Sequence, residues 1–299
     1  MIFLYEFAVG GGAIEGIPKD ILCEGKAMFD TLLNQFLEFD DVITLIDGRF
    51  YEDYKKKRNL HINTIKEGDD LTEKIEDILK LSDMALIIAP EDDGILYNLT
   101  KIVEDSGVLN LGSSSDAIKI AGDKYLTYKS IKDVVNTPKT MPLKKYVIKK
   151  IDGCGGEHFI YDENYIVQEF VEGEPYSVSL IVGDEIYPLS LNKQYINANG
   201  YCGGEINISH PLKEEIFREC IKAVEQIDGL KGYIGVDVIV GDEIYIIEIN
   251  PRITTSIYGL KTNPSLAKLL VDNALGKELK FKVEEGRKFI KKDGKMSFI

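Results

Sequence analysis

Residues 233–252 read YIGVDVIVGDEIYIIEINPR. Two runs rich in β-branched residues flank Gly241-Asp242, a favourable two-residue turn, so the stretch predicts a β-hairpin. With an even-numbered loop, residues facing one another across the strands have numbers of opposite parity. Asp237 then shares a face with Glu248, and Asn250 joins them two residues further on. Val236, Val238, Ile247 and Ile249 take the other face, toward the core. Two carboxylates and an amide oxygen are hard donors, and without histidine or cysteine they suit Mg²⁺ or Mn²⁺. The same spacing also fits a half-exposed hairpin with ordinary polar residues outward. A three-residue loop or a bulge would undo the parity.

The hexapeptide VGDEIY at 240–245 also stands at 182–187, which predicts a second hairpin of similar turn chemistry in the same antiparallel sheet. Upstream the pattern differs. Strand-like runs at Ile2–Phe7, Val42–Ile46 and Met84–Ala89 alternate with helical spacing over Ala27–Phe39, Leu71–Leu81 and about 96–106. That alternation predicts a parallel sheet with helices on its faces, whose ligands sit beyond the carboxyl ends of the strands. The loops Ala8–Gly16 and Pro90–Gly94 occupy those places. Tyr5, Glu6 and Gly10–Gly12 are candidates to line an acceptor site there. A helix is expected over Asp123–Val135, preceded by the capping loop Gly112–Ser115. A last helix is expected with Asn263 as cap, Pro264 at its first position and Gly276 as stop.

The chain has 299 residues and a net charge of −14. Such acidity disfavours a nucleic-acid partner. No apolar run approaches the roughly 20 residues that span a bilayer, and Glu6 breaks the apolar start, so residues 1–6 read as a strand rather than a leader. Cys23, Cys154, Cys202 and Cys220 form no C-x-x-C pair, which fits a reduced, cytoplasmic setting. With only His61, His158 and His210, a histidine-rich metal site is excluded. There is no G-x-S-x-G elbow and no Walker P-loop.

Two further stretches carry weaker signals. In residues 146–156, YVIKKIDGCGG, a strand delivers Lys149 and then a turn containing Gly153, Gly155 and Gly156. Glycines let the backbone approach phosphate oxygens, and a lysine supplies a point charge. Residues 165–175, YIVQEFVEGEP, run from a strand into a glycine turn rich in acceptors. Each alone fits a plain loop.

The order Lys124, Lys149 with its glycine turn, Gln168-Glu169-Phe170-Val171, Asp237, then Glu248-Ile249-Asn250-Pro251-Arg252 resembles the ATP-grasp superfamily. The resemblance implies an α/β and α+β fold: an N-terminal parallel α/β domain over 1–110, a small lid subdomain over 111–165, and a C-terminal subdomain over 166–299, with ATP between the last two. It implies that Lys124 and Lys149 contact phosphates, that Gly153, Gly155 and Gly156 form a lid, and that Gln168, Glu169 and Val171 form the adenine hinge. Glu174 is the ribose candidate. Asp237, Glu248 and Asn250 become ligands of two Mg²⁺ or Mn²⁺ ions. Arg252 and Lys193 are the catalytic candidates, stabilising the transferring phosphoryl group. Lys150 stands where many members have proline, which leaves open which of the two lysines meets phosphate.

The stretch Ala89–Gly94 together with Gly112–Lys124 is similar to a branch of the superfamily in methanofuran biosynthesis, and this likeness runs the whole length. It implies small-molecule substrates: the γ-carboxyl of L-glutamate joined to the amine of tyramine, with ATP converted to ADP and phosphate. The loop Asn197–Glu205 would cover the acceptor site. Neither a membrane nor a nucleic acid is expected as partner, and a homo-oligomer is left open.

Overall fold

The computed structural model describes residues 1–12, 16–152, 158–198 and 200–299. The chain begins with β1 (Ile2–Glu6), α1 (Lys19–Phe36), β2 (Val42–Asp47), α2 (Tyr51–Tyr54), β3 (Leu60–Ile65), α3 (Leu71–Leu79), β4 (Met84–Ile88), α4 (Ile95–Ser106) and β5 (Leu109–Asn110). The strands form a parallel sheet in the order β3-β2-β1-β4-β5. In its centre β1 has Ile2, Phe3, Leu4 and Tyr5 fully buried, as a strand covered on both faces must. Ile2 and Leu4 meet Phe29, Leu32 and Leu33 of α1 on one face. Phe3 and Tyr5 share the other with Ile75, Ile78 and Leu99. The strand order reverses between β1 and β4, and the loop after β4 brings Glu91, Asp92 and Asp93 to a cleft.

Next come α5 (Ser115–Ala121) and α6 (Lys124–Ile131), then two small ladders. β6 (Thr140–Pro142) pairs with β9 (Ile166–Gln168), and β7 (Tyr146–Ile148) pairs with β8 (Phe159–Tyr161). The Ser114 hydroxyl accepts from the Ala117 N–H and caps α5, a helix not expected from the sequence, whereas the expected helix α6 is capped by Asp123.

The remainder builds on a large sheet. Its elements are β10 (Glu174–Val182), β11 (Ile186–Asn197), β12 (Gly200–Glu205), α7 (Lys213–Val224), β13 (Gly232–Val240), β14 (Ile244–Asn250), β15 (Thr262–Asn263), α8 (Leu266–Ala274), β16 (Lys282–Val283), β17 (Lys288–Lys292) and β18 (Lys295–Phe298). Seven strands run β14-β13-β10-β11-β12-β17-β18. The two VGDEIY copies form the turns of β10–β11 and β13–β14, which lie side by side through the β10–β13 pairing. In each turn the glycine N–H donates to the glutamate carbonyl at 3.0 Å, Gly183 to Glu185 and Gly241 to Glu243. One face of this sheet packs on α7 through Val178, Val236, Ile246, Ile216 and Cys220.

Several expectations need correction. The turns hold three residues, since Val182 pairs with Ile186 and Val240 with Ile244. Helix α1 begins at Lys19, two turns before its apolar periodicity becomes dense. The cap of α8 is Ser265 and not Asn263, whose backbone pairs with Lys282 in the β15–β16 ladder. Gly200–Glu205, expected within a loop, is the strand β12, drawn into the sheet by pairing with β11 and β17.

Candidate active site

The metal-ligand hairpin combines two irregularities. From its three-residue turn the ladder pairs Ile239 with Tyr245 and Val238 with Ile246, residues of like parity. Then the register slips by one, leaving Ile247 unpaired, and Asp237 stands opposite Glu248 with Gly235 opposite Asn250. An odd loop alone would have turned Glu248 toward the core with Val236. The bulge reverses that. Val236, Val238 and Ile249 are buried as expected, but Ile246 fills the core position expected for Ile247. Ile247 instead lines the cleft beside Glu248.

The Asp237 carboxyl is held on both oxygens. Gln194 Nε2 on β11 donates to Oδ1 at 3.0 Å, and Asn250 Nδ2 donates to Oδ2 at 3.4 Å. Burial pushes its pKa well above the ordinary carboxylate range, and the adjacent charge of Glu248 adds to the push. Burial also pushes Glu248 upward, but Lys124 Nζ lies 2.7 Å from its Oε2, and that ammonium brings the group below its ordinary value. Lys124 opens α6, whose first turn is secured by Asp123 accepting from the N–H groups of Tyr125 and Leu126 at 2.8 and 2.9 Å. Arg252, just past β14, is anchored from the other sheet. Its Nε donates to Glu91 Oε1 at 2.8 Å, in the loop after β4.

The donor set fits a divalent cation. Two carboxylates forced together in a buried position repel, and a cation between them removes the cost that holds the Asp237 pKa up. Among the described residues no three of His, Cys, Asp and Glu come together for a metal. Asn250 is the further oxygen-bearing side chain beside the two carboxylates, and in this structure its amide nitrogen faces Asp237.

Two clefts meet at Glu248, Asn250 and Arg252. One, of about 500 Å³, lies on the large sheet, with an apolar floor of Pro175, Ile239 and Ile247 and a hydroxyl-rich far end. The other, of about 650 Å³, is acidic and aromatic, lined by Glu91, Asp92, Asp93, Asp123, Tyr125 and Tyr165.

Other expected residues stand apart. Lys193 Nζ pairs with Glu174 Oε2 at 3.0 Å, joining the second catalytic candidate to the ribose candidate beside Pro175. Gln168 Nε2 donates to Thr140 Oγ1 at 3.0 Å, a contact that ties β9 to β6. The Glu169 N–H donates to the Lys139 carbonyl at 2.9 Å, and Val171 is half-buried. Gly173, with φ of 158°, leads into β10 where a Cβ would lie 2.6 Å from the Val240 carbonyl oxygen. Lys149 and Lys150 are exposed past β7 and line neither cleft. Gly153, Gly155 and Gly156 lie outside the described residues. Tyr5 and Glu6 are buried and line neither cleft. Gln194 carried no signal in the sequence, and Glu91 stood out only within the loop Pro90–Gly94, because each acts through a partner distant in the chain.

A parallel α/β unit, two small ladders and a large antiparallel sheet bearing an Asp-Glu-Asn donor set define an ATP-grasp protein. The ATP-grasp domain family matches residues 121–256, and the pre ATP-grasp 3 domain family matches residues 41–118. The chain is 64% identical to the tyramine–L-glutamate ligase of Methanocaldococcus fervens, over 97% of this chain and 99% of that one. It is 60% identical to the tyramine–L-glutamate ligase of Methanocaldococcus jannaschii, over 97% and 94%. A crystal structure from Archaeoglobus fulgidus, assigned to the ATP-grasp superfamily, superposes with a TM-score of 0.74 at 34% identity, over 97% of this chain and 91% of that one. N5-carboxyaminoimidazole synthetase from Staphylococcus aureus shares the fold at 12% identity, with a TM-score of 0.67 over 97% and 80%. The chain belongs to the ATP-grasp superfamily, in one family with the two Methanocaldococcus ligases. No helix among the described residues is long and apolar enough to cross a membrane.

Proposed function

We propose that this ATP-grasp ligase joins the γ-carboxyl of L-glutamate to the amine of tyramine, converting ATP to ADP and phosphate through an acyl phosphate. The observation that carries the reading is the meeting of Lys124, Asp237, Glu248, Asn250 and Arg252 where two clefts join. The whole-length likeness to ligases of that printed name supplies the substrate pair. Under this reading the protein works in the cytoplasm, in methanofuran biosynthesis. Its units are 1–110, 111–165 and 166–299.

The apolar floor of Pro175, Ile239 and Ile247 suits a purine, with backbone groups of Glu169 and Val171 at its edge and Glu174 toward the ribose. Lys124 and Lys149 take phosphates, while Gly153, Gly155 and Gly156, outside the described residues, keep the lid role that the resemblance implies. Two Mg²⁺ or Mn²⁺ ions held by Asp237, Glu248 and Asn250 would neutralise charge on the β and γ oxygens. The γ-carboxylate of L-glutamate attacks the γ-phosphorus and ADP leaves. Arg252 and Lys193 stabilise the transferring group. The amine then displaces phosphate from the acyl carbon and loses its proton. The acidic cleft suits tyramine: Asp92, Asp93 and Asp123 attract its ammonium, and Tyr125 and Tyr165 offer aromatic faces to its ring.

The test is purified protein with ATP, Mg²⁺, L-glutamate and tyramine, following phosphate release and product mass. γ-Glutamyltyramine is the expected product. Turnover only with a different acid or amine would replace the substrate pair, and no phosphate release with any pair would favour a nucleotide-binding module.

A further inference from the structure

The far end of the cleft over the large sheet holds a carboxylate that the reaction described so far does not use. Glu24 reaches it from α1, in the N-terminal part of the chain, and lines the same cleft as Asp237, Glu248 and Arg252. Its Oε2 accepts from Thr255 Oγ1 at 2.8 Å, and its Oε1 is 2.5 Å from Lys291 Nζ. These partners lie 231 and 267 residues away in sequence. The side chain nevertheless keeps 23% of its surface exposed.

We propose that Glu24 receives the α-ammonium group of the L-glutamate substrate, with Thr255 and Lys291 as positioning residues that fix its carboxylate. This rests on the ligase reading above. Three acids line this cleft among the described residues, and Asp237 and Glu248 belong to the metal set. Glu24 is the remaining anion for an ammonium. Each of its oxygens has one partner and a second lone pair to offer. The surroundings are hydroxyls, from Ser177, Tyr201, Thr254, Thr255 and Ser256, which suit a small polar amino acid better than a phenol ring. Tyr201 lines the same cleft as Glu24 and Asp237. Burial first, then the charges of Glu24 and Asp237 together, push its phenol upward. A substrate whose γ-carboxyl lies at Arg252 and whose α-ammonium lies at Glu24 therefore runs along one wall of the cleft. Lys291 sits behind Glu24, 5.9 Å from the Tyr201 ring centroid, and balances its charge when no substrate is present.

The test compares L-glutamate with glutarate, which keeps both carboxylates and lacks the ammonium. Calorimetry on the full chain, saturated with ADP and Mg²⁺, should show wild type preferring L-glutamate. Glu24→Gln should weaken L-glutamate about 10- to 100-fold, the equivalent of one charge-assisted hydrogen bond, and leave glutarate within about twofold. KM for L-glutamate should rise in step, with KM for ATP and tyramine unchanged. Thr255→Val should give the same selective loss at smaller size, and it carries the test should Glu24 variants not fold. Equal losses for both acids, or a rise confined to tyramine, would overturn the assignment. Wild type that binds no L-glutamate would overturn the ligase reading with it, whereas binding that Glu24→Gln leaves untouched overturns the assignment alone.

Discussion

Asp237 and Glu248 face one another across β13 and β14 because an odd turn and one unpaired residue cancel. Neither irregularity alone would bring the carboxylates together. Burial, and then the neighbouring charge of Glu248, raise the Asp237 pKa, a cost that a bound cation would relieve. Asp237→Asn and Glu248→Gln should each reduce ADP formation by at least about 100-fold, the scale of losing one charge-stabilising group. Circular dichroism should show both variants folded. Mg²⁺ should raise the melting temperature of wild type and have little effect on either variant, and full turnover by either would rule out the metal assignment.

The three-residue turn also makes a prediction about neighbours. Ile246 is fully buried against α7, whereas Ile247 points into the cleft. Ile246→Ala should cost about 2–5 kcal/mol in urea unfolding. Ile247→Ala should cost less than about 1 kcal/mol, since it leaves no closed cavity, and should weaken ADP binding instead. A regular ladder from a two-residue turn would produce the opposite ranking.

Arg252 is oriented by Glu91, and both side chains are largely shielded, at 23% and 19% exposure. Arg252→Met should lower kcat by about 10²–10³-fold if the guanidinium meets the transferring group. Glu91→Gln keeps the hydrogen bond but removes its charge, so it should lower kcat less and leave KM for ATP near the wild-type value. Steady-state kinetics with each substrate varied in turn separates these effects.

Glu6 predicts a pH dependence. Burial pushes its carboxyl up to about 7, against the N–H donors of Val9 and Ala8 and the charge of Arg252. Between its ordinary value of 4.5 and about 7 the folded chain keeps a proton that the unfolded chain has released. This group's contribution to stability therefore falls as pH rises through that window and stays lower above it. Glu6→Gln should be nearly neutral at pH 4.5 and stabilising by on the order of 3 kcal/mol at pH 8, read from denaturant midpoints. A difference between wild type and variant that does not change with pH would contradict this.

Lys149→Ala should weaken ATP binding about tenfold or more by calorimetry, as loss of a charge-assisted phosphate contact does. If affinity is unchanged and Lys150→Ala shows the loss, the second lysine holds the phosphates.

Much of this molecule was legible in the sequence, and the limits have physical causes. The central strands β1, β2 and β4 announce themselves because burial on both faces demands unbroken apolar runs. β3, an edge strand reading LHINTI with alternate residues exposed, lacks that signature. The two VGDEIY turns mark their hairpins, yet local chemistry does not count loop residues, so the turn came out one longer than expected and Ile247 changed sides. Asp237, Glu248, Asn250 and Arg252 lie within one hairpin and could be read together. Glu24, Glu91 and Gln194 could not, since each is meaningful only beside a residue brought in by tertiary folding. The Arg252–Glu91 contact spans 161 positions.

The Lys124–Glu248 ion pair at 2.7 Å gives the cleft an exchange step. Lys124 can serve a carboxylate or a phosphate, and the same carboxylate can serve the lysine or a cation. Under the proposed roles, metal would compete with Lys124 for Glu248 and nucleotide would compete with Glu248 for Lys124, so the two together would replace the pair at less cost than either alone. Metal alone must displace an ammonium, and nucleotide alone must draw that ammonium off a carboxylate. Cation and nucleotide should accordingly enter as a unit, with affinities that rise together by the same factor.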